Sequence, residues 1–316
     1  MPAATDSATD SATDSTTVLL NPHAAGGRAA ALEAPLRQWL AQNAPHIAFQ
    51  TLDTAAQARA LIDALPHGSR VVMVGGDGTF NQLLPSVLAG QHAAALVPFG
   101  SGNDTARALG VYGLPWQAAL QLGLTAQASR VDVGWAEFVL DGMTSSRRLP
   151  FISSLTTGFD SSVGLRAIKG PKWLRGLPRY LLATLRELAN LRTWDVQVSL
   201  DGHLIHSGAA LFASTLNTRS FGGGMPAVPQ ALIDDGQLDL LLAKNLGLPE
   251  TLLLLPRLLV GKHLGHPKVH TQAFKQMQID ATTPIPVAAD GEYLGQTRSI
   301  TLSVQAGALS IVRHGT

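Results

Sequence analysis

Between Val18 and Pro98 the chain alternates short apolar segments with stretches rich in alanine and leucine. The short segments end in turn residues, which is typical of buried strands, and the longer stretches have the apolar spacing of helices. The predicted strands are 18–21, 47–52, 71–74 and 94–98, and the predicted helices are 29–42, 55–65 and 80–88. This order predicts an α/β domain with a doubly wound parallel sheet, in which ligands bind beyond the carboxyl ends of the strands.

After Arg130 the predicted elements are mostly strands, with Asp-Gly turns at Asp141-Gly142 and Asp201-Gly202. Such turns are typical of hairpins and therefore of an antiparallel β-sandwich. The predicted strands are 131–140, 148–155, 196–200, 203–215, 238–243, 275–280, 285–289 and 299–304. We expect an α/β domain over 18–132 and a β-rich domain over 133–316, and the last segment of the chain could return to the first domain.

Composition narrows the class of protein. A formal net charge of +1 gives no overall attraction for nucleic acid, so no such partner is expected. The absence of cysteine excludes disulfides and thiolate chemistry and is typical of a cytoplasmic protein. The longest apolar run, 252–260, is interrupted by Pro256 and Arg257 and is too short to span a bilayer. Residues 1–17 repeat Ala-Thr-Asp-Ser, so we expect a disordered tail rather than a signal peptide.

Glycine-bearing turns follow the predicted strands, at the edge of the sheet where a ligand is expected. The clearest is Gly75-Gly76-Asp77-Gly78-Thr79, which lies between a strand and a helix. Glycines let the backbone approach a phosphate, a helix start presents N–H groups, and an aspartate attracts magnesium. Pro98–Arg107 and Asn21–Arg28 supply two further turns of this kind. The alternatives are an ordinary glycine-rich turn and a helix cap formed by Asn103-Asp104.

Together these segments resemble the diacylglycerol kinase catalytic-domain family, which includes bacterial lipid kinases, sphingosine kinases and ceramide kinases. Gly75–Thr79 is similar to the family's GGDGT motif, and Pro98–Arg107 to its P-x-G-[TS]-x-N-D-x-A-R segment. The later matching segments are Gly158-Phe159-Asp160, Phe221–Gly224 with Pro226, Asp234-Asp235-Gly236 and Asp290-Gly291-Glu292. The resemblance extends over residues 18–304. Ala24-Ala25 and Ser101 depart from it, because they stand where Ser-Gly and Thr are usual.

The resemblance implies a kinase that uses ATP and Mg²⁺, with the nucleotide in a cleft between an α/β domain and a lipid-binding β-rich domain. Asp290 is the implied general base toward the acceptor hydroxyl, with Glu292 beside it as a metal or hydrogen-bonding partner. The implied nucleotide-binding residues are Asn21, Arg28, Gly75, Gly76, Asp77, Gly78, Thr79, Gly100, Ser101, Asn103 and Thr105. The implied magnesium ligands are Asp77, Asp104, Asp234 and Asp235. Hairpin chemistry explains the last two equally well.

The segment 166–192 contains seven basic residues and one acidic residue, interleaved with Trp173, Tyr180 and leucines. With a lipid substrate, this pattern favours peripheral contact with the inner face of the membrane. The alternative is an amphipathic helix that packs on the sheet. Because a β-rich domain has sheet edges, a homodimer is a further expectation.

Two other functions stay open from the sequence. A soluble-substrate kinase such as an NAD kinase also carries a GGDGT-like loop, although the late Asp290-Gly291-Glu292 segment disfavours it. A nucleotide- or lipid-binding regulator of the same fold is disfavoured by the intact Asp77, Asp104 and Asp290. The absence of G-x-x-x-x-G-K-[ST] disfavours a P-loop kinase. We therefore expect an enzyme of phospholipid metabolism whose acceptor is diacylglycerol, a sphingoid base, phosphatidylglycerol or an undecaprenyl-type alcohol.

Overall fold

The computed structural model describes residues 15–100, 102–171, 173–174 and 176–315. The elements of the first part of the chain are β1 (Thr16–Leu20), a 3₁₀ helix (Arg28–Leu32), α1 (Glu33–Asn43), β2 (Ala48–Thr51), α2 (Ala55–Asp63), β3 (Arg70–Gly75), α3 (Asp77–Ala89), β4 (Ala93–Pro98), α4 (Asp104–Ala108) and α5 (Trp116–Thr125). The predicted tail over 1–17 lies outside the described residues up to residue 14, and β1 begins at Thr16.

Strands dominate the rest of the chain. The elements are β5 (Ala128–Leu140), β6 (Ser146–Phe151), β7 (Ser154–Thr157), α6 (Phe159–Ile168), α7 (Leu177–Leu188), β8 (Trp194–Leu200), β9 (His203–Leu216), β10 (Leu238–Lys244), α8 (Leu248–Leu259), β11 (Val269–Phe274), β12 (Gln276–Ala289) and β13 (Glu292–Val312).

The chain divides into two compact units. The first unit contains the described residues up to Gly100, then Val111–Ser129 and the residues from Leu309 onward. The second unit contains Ser101–Gly110 and Arg130–Ala308. The short helix α4 therefore belongs to the second unit, and the last four residues of β13 belong to the first.

The first unit is built on a parallel sheet with the strand order β2-β1-β3-β4, followed by the end of β13. β3 and β4 are almost completely buried, as expected for parallel strands covered by helices. Thr54 begins α2 with a capping box, in which its side chain accepts the Gln57 N–H and the Gln57 side chain accepts the Thr54 N–H. The strand order reverses between β1 and β3, and sheets of this kind bind ligands at such a point.

The second unit is an antiparallel β-sandwich. Its strands follow the order β11-β10-β9-β7-β12-β13, and β5 and β6 continue from β13. β8 pairs with β9 and β12 along the parts of those strands that β7 does not reach. Large buried side chains such as Phe151, Phe274 and Leu155 fill its core. The predicted fold class, a parallel α/β domain followed by a mostly antiparallel β-sandwich, is confirmed.

Several element boundaries differ from the prediction. The predicted strand 148–155 is two strands, because the chain bends at Ile152 and Ser153 between β6 and β7. The predicted strands 275–280 and 285–289 are one strand, β12, whose pairing with β13 shifts in register between Asp280 and Ile285. The sequence prediction also missed β11 and the helix α5.

Candidate active site

Asn21 and Thr79 meet at the carboxyl ends of β1 and β3 in the first unit. The Asn21 Nδ2 donates a hydrogen bond to Thr79 Oγ1 over 2.8 Å. A Cβ atom on Gly75 would lie 2.6 Å from the same Thr79 oxygen, so this position admits only glycine. Gly75 therefore serves the packing of Thr79. The predicted residues Asn21, Gly75 and Thr79 come together at the point where the strand order reverses.

The helix α3 starts directly after Gly76 and carries Asp77 in its first turn. The first N–H groups of a helix have no partner within the helix and attract anions. A Cβ atom on Gly78 would meet no atom within 4 Å, so the backbone is open to a close neighbour there. A carboxylate beside a phosphate site repels the phosphate unless a cation lies between them. Asp77 therefore fits a site for a phosphate together with a divalent cation.

The turn after β1 contains three consecutive residues with positive φ, Ala25, Gly26 and Gly27. Ala25 has a φ of 54°, where an alanine costs about 1–2 kcal/mol relative to a relaxed conformation. This gives a physical meaning to the Ala24-Ala25 departure, because a glycine at the second position would adopt the turn without strain. The Arg28 Nε donates to the Ala25 carbonyl over 3.2 Å, so Arg28 closes its own turn.

In the second unit, Asp104 holds a glycine-rich loop. Its Oδ2 accepts the Gly223 N–H over 2.8 Å, and its Oδ1 accepts the Ser220 hydroxyl over 3.4 Å. Asn103 is the N-cap residue of α4 at a φ of 57°, and its side chain makes no capping hydrogen bond to that helix. Asn103 and Thr105 are buried. Of the other predicted residues nearby, Gly100 ends the first stretch of the first unit, and Ser101 lies outside the described residues.

The loop Phe221–Met225 requires its three glycines, since Gly222, Gly223 and Gly224 all have positive φ. A Cβ atom on Gly223 would lie 2.9 Å from the Leu177 nitrogen at the start of α7. A Cβ atom on Gly224 would lie 3.0 Å from the Arg107 Nε of α4. The loop is therefore packed between α4 and the beginning of α7.

Asp290 and Gly291 form the two-residue turn between β12 and β13. Their φ angles of 47° and 81° are typical of a type I′ hairpin, for which Asp-Gly is a favoured sequence. The Asp290 Oδ1 accepts the N–H groups of Ser153 and Ser154 over 2.7 and 2.9 Å, and its Oδ2 accepts that of Ile152 over 2.9 Å. The bend between β6 and β7 thus fixes the carboxylate with three backbone donors.

Two further residues, Tyr180 and Glu292, lie beside the Asp290-Gly291 turn. A Cβ atom on Gly291 would lie 3.6 Å from the Tyr180 Oη, so α7 reaches the turn through this tyrosine. Glu292 is the first residue of β13 and is exposed. Tyr180 was predicted only as part of the basic segment 166–192, and no sequence pattern indicates its place beside Gly291.

The Asp234-Asp235-Gly236 turn is held by Asp132, a buried residue that the sequence analysis missed. The Asp132 Oδ2 accepts the Gly236 N–H over 2.6 Å, and its Oδ1 accepts the Gly307 N–H over 2.7 Å. A signal was available, because Asp132 stands between two valines on a strand where an apolar residue is expected. Asp234 and Asp235 themselves are exposed, and the Asp235 Oδ1 accepts the Gln237 N–H over 3.0 Å.

Two other carboxyl groups of the second unit have raised pKa values. Burial raises the pKa of Asp160 to about 7, against which a hydrogen bond from the Ser214 hydroxyl over 2.8 Å acts weakly. Burial raises the pKa of Asp239 to about 6, and the negative charge of Asp235 adds to the effect. Asp160 belongs to the Gly158-Phe159-Asp160 segment, so its carboxyl group titrates near neutral pH within a segment that carried the family resemblance.

Within the described residues, no three histidine or acidic side chains lie close enough together to hold a metal ion by themselves. Mg²⁺ in kinases is commonly held by one or two carboxylates together with substrate phosphates and water. The oxygen donors of Asp77 fit that arrangement, whereas Asp104 already binds the backbone of the glycine-rich loop. Magnesium binding at Asp77, Asp104, Asp234 and Asp235 stays a prediction.

Sequence profiles and known proteins match both units. Residues 15–136 match the Diacylglycerol kinase catalytic domain, and residues 153–313 match the YegS C-terminal NAD kinase beta sandwich-like domain. The Diacylglycerol kinase of Mycobacterium tuberculosis is 34% identical over 269 residues, which cover 83% of this chain and 83% of that protein. The chain belongs to the diacylglycerol kinase family. It is a lipid kinase, and the family resemblance of its motifs is confirmed.

Other members of the diacylglycerol kinase family are more distant. The Diacylglycerol kinase of Bacillus subtilis is 26% identical over 236 residues, which cover 73% of this chain and 74% of that protein. A crystal structure of a diacylglycerol kinase from Bacillus anthracis is 18% identical and superposes with a TM-score of 0.66 over 95% of this chain and 97% of that one. At this identity the superposition shows a shared fold.

Proposed function

We propose that the protein transfers the γ-phosphate of Mg²⁺-bound ATP to the free hydroxyl of diacylglycerol or a closely related lipid. The hydrogen bond between Asn21 and Thr79 carries the proposal, because it links the first motif to GGDGT at the carboxyl ends of β1 and β3. The curated relatives named diacylglycerol kinase support this acceptor over the NAD of the alternative function.

In the proposed reaction the first unit binds the nucleotide. The N–H groups at the start of α3 and the open backbone at Gly78 bind phosphate oxygens, and Asn21 orients the Thr79 hydroxyl. Mg²⁺, held through Asp77, supplies positive charge against the phosphates. Arg28, Gly100, Ser101, Asn103 and Thr105 are proposed to add nucleotide contacts on the strength of the family motifs alone.

The second unit is proposed to supply the base. The lipid hydroxyl oxygen bonds to the γ-phosphorus while the bond from that phosphorus to the β–γ bridging oxygen breaks, and the hydroxyl proton passes to the Asp290 carboxylate. Three backbone donors hold this carboxylate in one orientation, which limits the reorganisation that the proton transfer needs. Glu292, the next acidic residue along the chain, is proposed to assist by hydrogen bonding.

We also propose that the basic segment 166–192 contacts the membrane surface on the cytoplasmic side. Its Trp173 is 79% exposed, and α7 has a strongly amphipathic pattern. Among the described residues, no helix is long and apolar enough to cross a bilayer. A homodimer through sheet edges stays a prediction, which sedimentation velocity tests.

The test is transfer of ³²P from [γ-³²P]ATP to a panel of lipids in detergent micelles, with NAD and sugar phosphates as soluble acceptors. The panel contains diacylglycerol, sphingosine, phosphatidylglycerol and an undecaprenyl-type alcohol. We expect label in diacylglycerol that depends on added Mg²⁺. Label in NAD alone would indicate a kinase with a soluble acceptor. Nucleotide binding without transfer to any acceptor would indicate a regulator.

A further inference from the structure

The helix α8 (Leu248–Leu259) leaves an apolar face uncovered. Leu252 and Leu253 are 46% and 56% exposed, and Val260 at the end of the helix is 63% exposed. Pro256 is exposed between them. Because residues separated by three or four positions share one side of a helix, these side chains form a single stripe. We call these four residues the α8 face.

The opposite side of α8 packs on the second unit. Thr251 and Leu254 are buried, and Leu258 belongs to a small apolar cluster with Val228 and Ala231. A surface helix normally places polar residues opposite its buried side. The α8 face instead presents leucine, proline and valine, and contiguous exposed apolar surface of this kind is typical of an interaction site.

The charges beside the α8 face are basic. Arg257 lies on its edge and Lys262 follows it, and both are exposed. The nearest acid along the chain, Glu250, is neutralised by Lys268, whose Nζ lies 2.7 and 2.8 Å from the two carboxylate oxygens. An apolar stripe with exposed cations at its edge complements an anionic lipid surface, in which acyl chains lie beneath negative headgroups.

One loop connects the α8 face to the segment already proposed to contact the membrane. A Cβ atom on Gly261, next to Val260, would lie 3.2 Å from Pro229. In the same connection between β9 and β10, Gly223 packs against the backbone of Gly176 and Leu177 at the start of α7. The end of α8 and the start of α7 therefore flank the residues 221–229.

We propose that the α8 face is a second membrane-contacting surface, which inserts its leucines and valine at the interface of an anionic bilayer. The proposal deepens the proposed function, because it rests on a substrate that resides in a lipid bilayer. Arg257 and Lys262 bind the headgroups. The helices α7 and α8, which flank residues 221–229, contact the same bilayer.

Cosedimentation with vesicles tests the proposal without nucleotide. The vesicles contain phosphatidylcholine with 30% phosphatidylglycerol, and the variant is Leu253→Gln. The matched control is Leu204→Gln, because Leu204 is 59% exposed on β9. We expect Leu253→Gln to weaken vesicle partitioning about 10-fold and Leu204→Gln to leave it unchanged. Equal partitioning of wild type and Leu253→Gln, or equal weakening in both variants, overturns the proposal.

A second variant tests the charge. Arg257→Gln should weaken binding to anionic vesicles about five-fold and leave binding to pure phosphatidylcholine unchanged. Sedimentation velocity without vesicles tests the competing occupant, a second copy of the chain. A wild-type dimer that Leu253→Gln converts into a monomer would assign the α8 face to self-association and overturn the membrane proposal.

The kinase reaction separates this inference from the proposed function. Short-chain dioctanoylglycerol below its aggregation limit reaches the enzyme without a bilayer, so Leu253→Gln should phosphorylate it at the wild-type rate. Loss of vesicle binding in this variant, while no protein phosphorylates any lipid, would support the α8 face and refute the lipid acceptor. Normal lipid phosphorylation together with unaltered vesicle binding by Leu253→Gln would support the lipid acceptor and refute the α8 face.

Discussion

Two Asp-Gly turns in the second unit have nearly the same backbone and different surroundings. Asp201-Gly202 joins β8 to β9 with φ angles of 48° and 83°, and Asp290-Gly291 joins β12 to β13 with 47° and 81°. In both turns the aspartate also accepts N–H groups from a neighbouring segment. In both places the Asp-Gly dipeptide forms a tight turn, and its aspartate also binds a neighbouring segment.

The difference between the turns lies in what surrounds the carboxylate. The Asp201 Oδ1 accepts the Lys275 and Gln276 N–H groups over 3.1 and 2.8 Å on an exposed edge, and its Oδ2 only shares the Lys275 N–H, over 3.5 Å. Each oxygen of Asp290 accepts a donor of its own over 2.9 Å or less, and Tyr180 lies against the adjacent glycine. A turn sequence therefore predicts backbone geometry, while the chemistry of its aspartate depends on the neighbours that the fold supplies.

The strongest test of this contrast is Asp290→Asn beside Asp201→Asn. We expect Asp290→Asn to lower kcat for lipid phosphorylation about 10²- to 10⁴-fold, because it removes the proposed proton acceptor, and to change ATP affinity little. Asp201→Asn should keep wild-type kcat. Steady-state assays with dioctanoylglycerol and calorimetric titration with ATP measure the two quantities. Undiminished turnover in Asp290→Asn would eliminate Asp290 as the base.

The free energy of unfolding of Asp290→Asn and Asp201→Asn is the control for these kinetic measurements. In Asp290→Asn an amide NH₂ replaces one of two oxygens that accept N–H groups, so we expect a loss of about 1–3 kcal/mol in the free energy of unfolding. Asp201→Asn should cost less, because its carbonyl oxygen alone can accept both donors. Urea denaturation measures both. A larger loss in Asp201→Asn would contradict the contact pattern.

Asp160 extends the comparison to a carboxyl group held by a hydroxyl. Burial raises its pKa to about 7 from 3.8, so the folded state binds this proton more tightly than the unfolded state does. The stability from this group is therefore present below about pH 4 and is lost as the pH rises to about 7. Asp160→Asn should be more stable than wild type at pH 8, by at most about 4 kcal/mol.

The expected gain in Asp160→Asn shrinks at pH 5, where the wild-type carboxyl group is largely protonated in the folded state. Urea denaturation at pH 5 and pH 8 measures the difference. An equal gain at both pH values would show that the titration of Asp160 does not contribute.

The glycines of the two turns give a smaller effect. Alanine at a φ of 81° or 83° costs about 1–2 kcal/mol in either turn, so Gly291→Ala and Gly202→Ala should lose similar stability. The new methyl group meets the Tyr180 hydroxyl at 3.6 Å in Gly291→Ala and meets no atom within 4 Å in Gly202→Ala. Only Gly291→Ala should lower kcat, by several-fold, because the strain at its φ of 81° acts on the adjacent Asp290, the proposed base. A matching decrease in Gly202→Ala would show that the effect does not depend on the position of Asp290.

The smallest effect concerns a third acidic turn, Asp234-Asp235-Gly236. The charge of Asp235 contributes less than burial to the raised pKa of Asp239. Asp235→Asn should therefore lower that pKa, and the loss of stability that Asp239 causes between about pH 4 and pH 6 should end at a lower pH. A carboxyl ¹³C titration of Asp239 measures the change, and an unchanged midpoint would contradict the coupling.

The parallel half of the fold was predictable because its central strands, β3 and β4, are continuous apolar runs between helices. The bend at Ile152 and Ser153 was not, because their N–H groups turn toward Asp290, and that partner lies far away in sequence. β11 was missed because half of its side chains are exposed and only one is buried, which hides the apolar pattern on which strand prediction depends.

The site was predictable where side chains carry the chemistry. The Asn21–Thr79 pair follows from motifs at neighbouring strand ends. The three donors to Asp290 are backbone groups, which leave no residue signature in the sequence. The Asp104 carboxylate was expected to bind magnesium, and its bond to the Gly223 N–H joins residues that only the fold brings together. Asp290-Gly291 carries the same Asp-Gly hairpin signal as Asp201-Gly202, but no hairpin was predicted there.

The course of β13 affects how the protein is made. Its last residues pair with β4, Ser310 beside Ala93 and Ile311 beside Ala94, and they belong to the first unit. On the ribosome, β1 to β4 are synthesised long before this partner strand emerges. One edge of β4 therefore stays unpaired until nearly the whole second unit has been translated, and only then is the sheet of the first unit complete. A nascent chain arrested before Leu309 would carry an unpaired sheet edge at β4. A chaperone that shields such edges would bind this nascent chain until the end of β13 is synthesised.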